Sequence, residues 1–215
     1  LKAWTYSHLE KFATCPKQFY HSNVAKDFVS PPTEATIWGE RVHTAFENRV
    51  KEGTPLPEGM QQWEPIAKKL ESIEGNKLPE VKLAVSRAFQ PADWNNAWSR
   101  GIADLVINKG DKALVFDYKT GKRKPSEQLH LYAAYVFAHY PEVKQVKTNF
   151  IWLKEKKTDA KEFHKDEAPA IWREFLPKVH KLESAYERDS WPAKPSGLCR
   201  GWCPVKTCQF YKDKL

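Results

Sequence analysis

The strongest constraint in the sequence is the stretch GIADLVINKGDKALVFDYKTG, residues 101–121. Two apolar runs flank Lys-Gly-Asp-Lys, and a glycine between such runs predicts a tight β-hairpin. With Gly110 and Asp111 as the loop residues, Asp104 faces Asp117 across the ladder. Like charges directly opposite one another destabilise a sheet. Lys119 lies two residues beyond Asp117 and leans out of the same face. Two carboxylates and an amine therefore sit together on strands that otherwise read as core.

A cation between the two acids resolves the conflict. Mg²⁺ and Mn²⁺ prefer oxygen ligands, lower the pKa of a bound water and stabilise charge on a phosphoryl oxygen. A neighbouring lysine helps position that water or stabilises the charge of the transition state. Asp104, Asp117 and Lys119 thus suit phosphodiester cleavage. The plainer alternative is an exposed hairpin face with an Asp–Lys salt bridge, and the hairpin alone does not choose between them.

The remaining pattern predicts the architecture. Residues 5–22 read as two short helices around Cys15-Pro16, with Ser7 as N-cap. A helix from about Glu34 to Lys51 shows an apolar stripe of Ile37, Val42, Ala45, Phe46 and Val50. Gln61 to Ile73 reads as helix and the segment from Glu80 as strand, followed by the hairpin. Pro125 marks a helix start and the helix runs to about Tyr140. VKTNFIWLK and AKEFHK read as paired strands, and a long helix covers about 167–188. The order predicts an α/β fold, a mixed central sheet flanked by helices.

At 215 residues the chain suffices for one sizeable domain. No apolar run approaches the length of a membrane span, and the first residues lack the apolar core of a secretory signal. The net charge is +8 and favours polyanionic partners, although ordinary solvated surface also accounts for it. The densest basic clusters are YKTGKRKP, with Lys122, Arg123 and Lys124, and LKEKKTDAK. Trp94 and Trp98, just before the hairpin, are candidates for stacking on unpaired bases. TGKRK lacks the upstream glycine and the following Ser/Thr of a phosphate loop, so the chain shows no ATP-driven motor.

In chain order the sequence reads Gly39-x-x-x-His43, Glu80, Gly101-x-Ala103-Asp104, Asp117-x-Lys119 and Gln128-x-x-x-Tyr132. This resembles the PD-(D/E)xK nuclease superfamily, specifically its RecB-like branch, from about residue 7 to 210. The resemblance implies a restriction-endonuclease-like core at about 34–165, within a single nuclease domain over 1–215. It implies that His43, Asp104, Asp117 and the backbone carbonyl of Tyr118 ligate Mg²⁺ or Mn²⁺. Lys119 then orients the attacking water and Glu80 supports the metal. Gln128 and Tyr132 line the site and touch the DNA backbone, which Lys122, Arg123 and Lys124 guide. The expected activity is a metal-dependent deoxyribonuclease, more an exonuclease on single-stranded ends, with 5′→3′ polarity, than an endonuclease. A non-catalytic nucleic-acid-binding scaffold is the alternative. A helicase or recombination protein is the expected partner, an oligomer is open, and the expected setting is the cytoplasm of a prokaryotic or phage-infected cell.

Cys15 stands near the start, and Cys199, Cys203 and Cys208 form C-x3-C-x4-C near the end. Within the RecB-like branch, AddB-type subunits and CRISPR-adaptation nucleases likewise carry one cysteine before the core and three after it, and these hold a 4Fe–4S cluster. The resemblance implies the same staple here, joining segments at about 5–25 and 195–212, although the family spacing is nearer C-x2-C-x5-C. Cys₄ ligation also suits zinc. Disulfides need an oxidising compartment.

Overall fold

The three strands that carry the acidic positions form an antiparallel run with the predicted hairpin register. In chain order the computed structural model has α1 (Tyr6–Thr14), α2 (Pro16–Phe19), α3 (Glu34–Glu52), α4 (Glu64–Ser72), β1 (Asn76–Val85), β2 (Ser99–Asn108), β3 (Lys112–Lys119), α5 (Gln128–His139), β4 (Gln145–Trp152), β5 (Lys157–His164) and α6 (Ala168–Glu187). It describes residues 3–28 and 30–213. The strands form one sheet in the order β1-β2-β3-β4-β5. β3 and β4 are parallel and the other neighbours antiparallel, so the sheet is mixed. The parallel pair needs a crossover, and α5 provides it.

The chain divides into two compact units, residues 33–173 and residues 1–32 with 174–215, the boundary falling within α6. In the first unit, Val42 and Phe46 of α3 and Ala67 and Leu70 of α4 pack with Leu105, Ile107, Phe116 and Tyr118. Thr33 caps α3, its side chain accepting from Thr36 N, and Gly53 ends it at φ 70°. α5 is buried nearly all round, with Ala133, Tyr135 and Val136 fully enclosed. It begins at Gln128 rather than at Pro125, because Ser126 Oγ accepts from Gln128 N at 3.2 Å and sets the first turn after the serine.

The second unit is held by aromatic contacts. Phe19 is stacked on Trp191 at 6.1 Å and meets Phe12 and Tyr186 edge-on. The cap of α1 is Thr5 rather than Ser7. The Thr5 side chain accepts from His8 N, while Ser7 lies inside the first turn with its hydroxyl on Thr5 Oγ1. Among the described residues no helix is long and apolar enough to cross a membrane.

Candidate metal centre

The site is built on a row of acids across three strands. β2 and β3 pair up to Leu105↔Phe116, so Asp104 and Asp117 stand one step beyond, in the predicted opposition. On the other side of β2, Pro79 pairs with Leu105 and Val81 with Ala103, which places Glu80 opposite Asp104. Glu80 adopts φ 49°, in the left-handed region. Such a backbone costs on the order of 1–3 kcal/mol at a non-glycine residue.

His43 enters from α3, with Nδ1 at 3.1 Å from Asp104 Oδ1. Tyr118 N donates to Asp104 Oδ2 at 2.6 Å. One ligand atom each from His43, Glu80 and Asp104 lie within 4.8 Å of one another. The sequence gives Glu80 a supporting place, whereas in the structure it groups with His43 and Asp104, and Asp117 is not in that group. Tyr118 reaches the site through its N–H, while its ring packs on Phe46 at 4.5 Å between centroids.

Asp117 is almost fully enclosed. Lys119 Nζ donates to its Oδ1 at 3.0 Å. The same ammonium is 2.5 Å from Oδ2 but off its hydrogen-bonding direction, and that buried oxygen has no hydrogen bond. Lys119 Nζ also donates to Gln128 Oε1 at 3.1 Å, Gln128 Nε2 to Tyr132 Oη at 2.8 Å, and Tyr132 Oη to Ile102 O at 2.7 Å. This relay fixes which end of the Gln128 amide faces the lysine. It also corrects an expectation. Tyr132 is buried and its hydroxyl is committed to a backbone carbonyl, so it positions Gln128 and does not reach a DNA backbone.

Burial, and then the charge of Asp104, push Asp117 well above the ordinary carboxylate range, against the pull of Lys119 and His43. Glu80 is raised for the same two reasons. Burial pulls His43 down, but its hydrogen bond to Asp104 and the charges of Asp104, Asp117 and Glu80 outweigh that and raise it. The raised Asp117, Glu80 and His43 favour their protonated forms, and a divalent cation would displace those protons. The oxygen-rich set, with a buried Asp117 oxygen that has no hydrogen bond, fits a hard cation.

The glycines of the two motifs differ. A Cβ at Gly101 would lie 3.2 Å from Tyr135, tighter than usual, so α5 depends on that glycine for its approach. A Cβ at Gly39 would meet only Thr120 Oγ1 at 3.5 Å, an ordinary contact, so packing does not require a glycine there.

Other expected contacts are distributed differently. Arg123 is bound by Asp159, its Nε donating at 2.8 Å and its Nη2 closing a second bond. It braces the loop after β3 against the edge strand β5. Lys122 and Lys124 are exposed. Trp98 is buried against Phe89 and Trp172 and cannot stack on a base. Trp94 is half-buried beneath cations. The partnership of Arg123 with Asp159 had no signal in the sequence, because a separation of 36 residues hides it.

In the other unit all four cysteines are free thiols and line one cavity, with Val205, Phe210 and Tyr211. Lys194 N donates to Cys15 Sγ at 3.4 Å and Ser196 N to Cys199 Sγ at 3.5 Å. Burial raises the Cys203 thiol. No three of these sulfurs lie within 4.8 Å of one another.

Residues 3–208 match the family model of the PD-(D/E)XK nuclease superfamily. No curated protein matches the sequence. Among solved structures, SSO0001 is similar at 15% identity with a TM-score of 0.48, over 96% of this chain and 86% of its own. A protein of Eubacterium rectale named "Putative exonuclease" is similar at 14% identity with a TM-score of 0.47, over 85% of this chain and 82% of its own.

Proposed function

Since the chain belongs to the PD-(D/E)XK nuclease superfamily, we propose that it is a metal-dependent deoxyribonuclease acting on single-stranded DNA ends. The observation that carries this reading is the acid row itself: Glu80, Asp104 and Asp117 side by side with His43, and one buried Asp117 oxygen without a hydrogen bond.

His43, Glu80, Asp104 and Asp117 would hold Mg²⁺ or Mn²⁺, with the Tyr118 carbonyl as a further oxygen. The cation supplies Lewis-acid polarisation of a phosphoryl oxygen and a water of lowered pKa. Lys119 has three N–H donors and commits two of them, to Asp117 and Gln128. The third orients the attacking water. Gln128, anchored by Tyr132, gives the ammonium a second partner beside Asp117. Asp117 accepts the lysine charge and so limits the cost of burying its own. The exposed Lys122 and Lys124 draw the DNA backbone toward the site by charge.

For the cysteines we propose a 4Fe–4S cluster held by Cys15, Cys199, Cys203 and Cys208. A single zinc ion with Zn–S bonds of about 2.3 Å needs its four sulfurs tightly grouped. A four-iron cluster binds each thiolate at a different iron and does not need that close grouping. Backbone N–H groups aimed at two of the sulfurs favour thiolate character. This ligand pattern, with the order of the motifs, supports placement in the RecB-like branch.

The test uses anaerobically purified protein with end-labelled linear and circular single-stranded DNA, in Mn²⁺ or in EDTA, beside Asp117→Ala. Metal-dependent loss of linear DNA that spares circles is expected. Cutting of circles would make the enzyme an endonuclease. DNA binding with no cleavage under any metal overturns the enzymatic reading in favour of a binding scaffold. A visible absorbance band that dithionite bleaches is expected from the cluster, and a colourless zinc-loaded protein overturns it.

A further inference from the structure

On the strands that carry Glu80 and Asp104 lies a second group of side chains that the hydrolytic site does not use. Lys82 is exposed and pairs directly across the ladder with Ile102, a residue 38% exposed. Arg100 follows two residues along β2. The loop between β1 and β2 brings Trp94 to them, with Arg100 Cζ 4.7 Å and Lys82 Nζ 5.6 Å from its ring centroid. Arg100 Nη1 also donates to Trp94 O at 2.8 Å. Among the described residues, neither cation is paired with a carboxylate. Lys82 is two residues from Glu80 and Ile102 two from Asp104, about 7 Å along each strand.

The arrangement has three parts that one ligand class would need together. Two cations are held over an aromatic ring and free of acidic partners, which suits an anionic backbone. A half-buried indole and an exposed isoleucine beside them suit a flat apolar surface. Both border an acid row that has been read above as the cleavage site. The guanidinium is fixed by the indole and by a backbone carbonyl, so little entropy is lost when it engages a phosphate.

We propose that Lys82, Trp94, Arg100 and Ile102 form a binding platform for one unpaired nucleotide of single-stranded DNA adjoining the scissile phosphate. Arg100 and Lys82 take the backbone phosphate, and the base lies against Trp94 and Ile102. Stacking of this kind needs a base whose face is free, so the platform discriminates single strands from duplex. The inference rests on the nuclease reading of the acid row.

The test measures binding of fluorescent single-stranded and blunt duplex DNA by anisotropy, in an Asp117→Asn background with Ca²⁺. Trp94→Ala is expected to weaken single-strand binding about fivefold to a hundredfold, the range for one lost base–aromatic stack. Duplex binding should change little, and Trp94→Phe should retain most of the affinity. Lys82→Glu, at an exposed position, should weaken binding more than Lys69→Glu, an equal charge change on α4. Circular dichroism checks the fold of each variant, and the lysine pair keeps the test decisive if Trp94→Ala is unstable. Unchanged single-strand binding in folded Trp94→Ala, equal loss for both DNA forms, or equal effects of the two lysine reversals overturns the platform. Absence of all DNA binding in the background protein overturns the nuclease reading as well.

Discussion

The acid row and the cysteine cavity are placed by different means. Asp104, Asp117 and Lys119 sit on strands whose backbones are hydrogen-bonded to neighbours, and β4 pairs with β3 through Asp117 as far as Lys119. The ladder sets their spacing before any ligand arrives. Cys15 lies at the junction of two short helices, Cys199 in a single 3₁₀ turn, and Cys203 and Cys208 in irregular chain. The backbone bonds at these positions are those of single turns and short bridges, such as Cys208 N to Val205 O at 3.2 Å and Lys212 N to Cys199 O at 2.9 Å, rather than of a sheet ladder. A sheet can hold repelling charges together by its own cohesion. A loop cluster relies on what binds it.

The comparison predicts opposite consequences of mutation. Asp117→Ala or Lys119→Ala should lower cleavage on the order of a thousand-fold; Asp117→Ala should leave the melting temperature equal or higher, whereas Lys119→Ala, which strips the buried carboxylate of its cation, should lower it. Loss of the fold in both variants, or retained cleavage, breaks the assignment; activity assays beside thermal melts decide. Cys203→Ser should do the reverse. It should destabilise the unit of residues 1–32 and 174–215 by about 2–5 kcal/mol, comparable to losing a cross-link, as read by chemical denaturation. A variant that keeps its stability and loses only activity would remove the staple from the account.

Gln128→Ala sharpens the first half. It should lower turnover about tenfold, the loss of one hydrogen bond to a charged group, with metal affinity retained. Loss of metal affinity instead, measured by calorimetry, would make Gln128 part of the ligand set.

The smallest effect is on pH dependence. Asp117 and Glu80 are raised in the folded protein, so it keeps protons that the unfolded chain has already lost. Stability without metal should therefore fall as pH climbs above about 4 and through the folded pKa values. The raised His43 adds to the loss above its ordinary 6.5. Added Mn²⁺ should reverse the trend and release protons. Asp117→Asn should flatten the metal-free profile, and an unchanged profile in that variant would place the titrating group elsewhere.

The hairpin register was legible because an alternating apolar pattern allows one pairing, and a slip by one residue would turn every side chain over. The five strands and the crossover helix followed from periodicity in the same way. Local capping was less legible. Thr5 and Ser7 are both competent caps two residues apart, and Pro125 and Ser126 both suit a helix start, so the tertiary setting decided. Long-range polar pairs were not legible. Nothing local marks Arg123 for Asp159, or Tyr132 for the carbonyl of Ile102. The prominence of Glu80 was also hidden, because it depends on a backbone angle that no residue pattern announces.

That angle has a consequence for how the protein can change. Position 80 asks for glycine on conformational grounds, and glycine there would relieve roughly 1 kcal/mol of left-handed strain and remove a partly buried acid. Glu80→Gly should therefore emerge readily from a screen for heat resistance and vanish from a screen for turnover. Thermal hardening and catalysis pull this codon in opposite directions, and its identity in an evolving population would report which pressure governs.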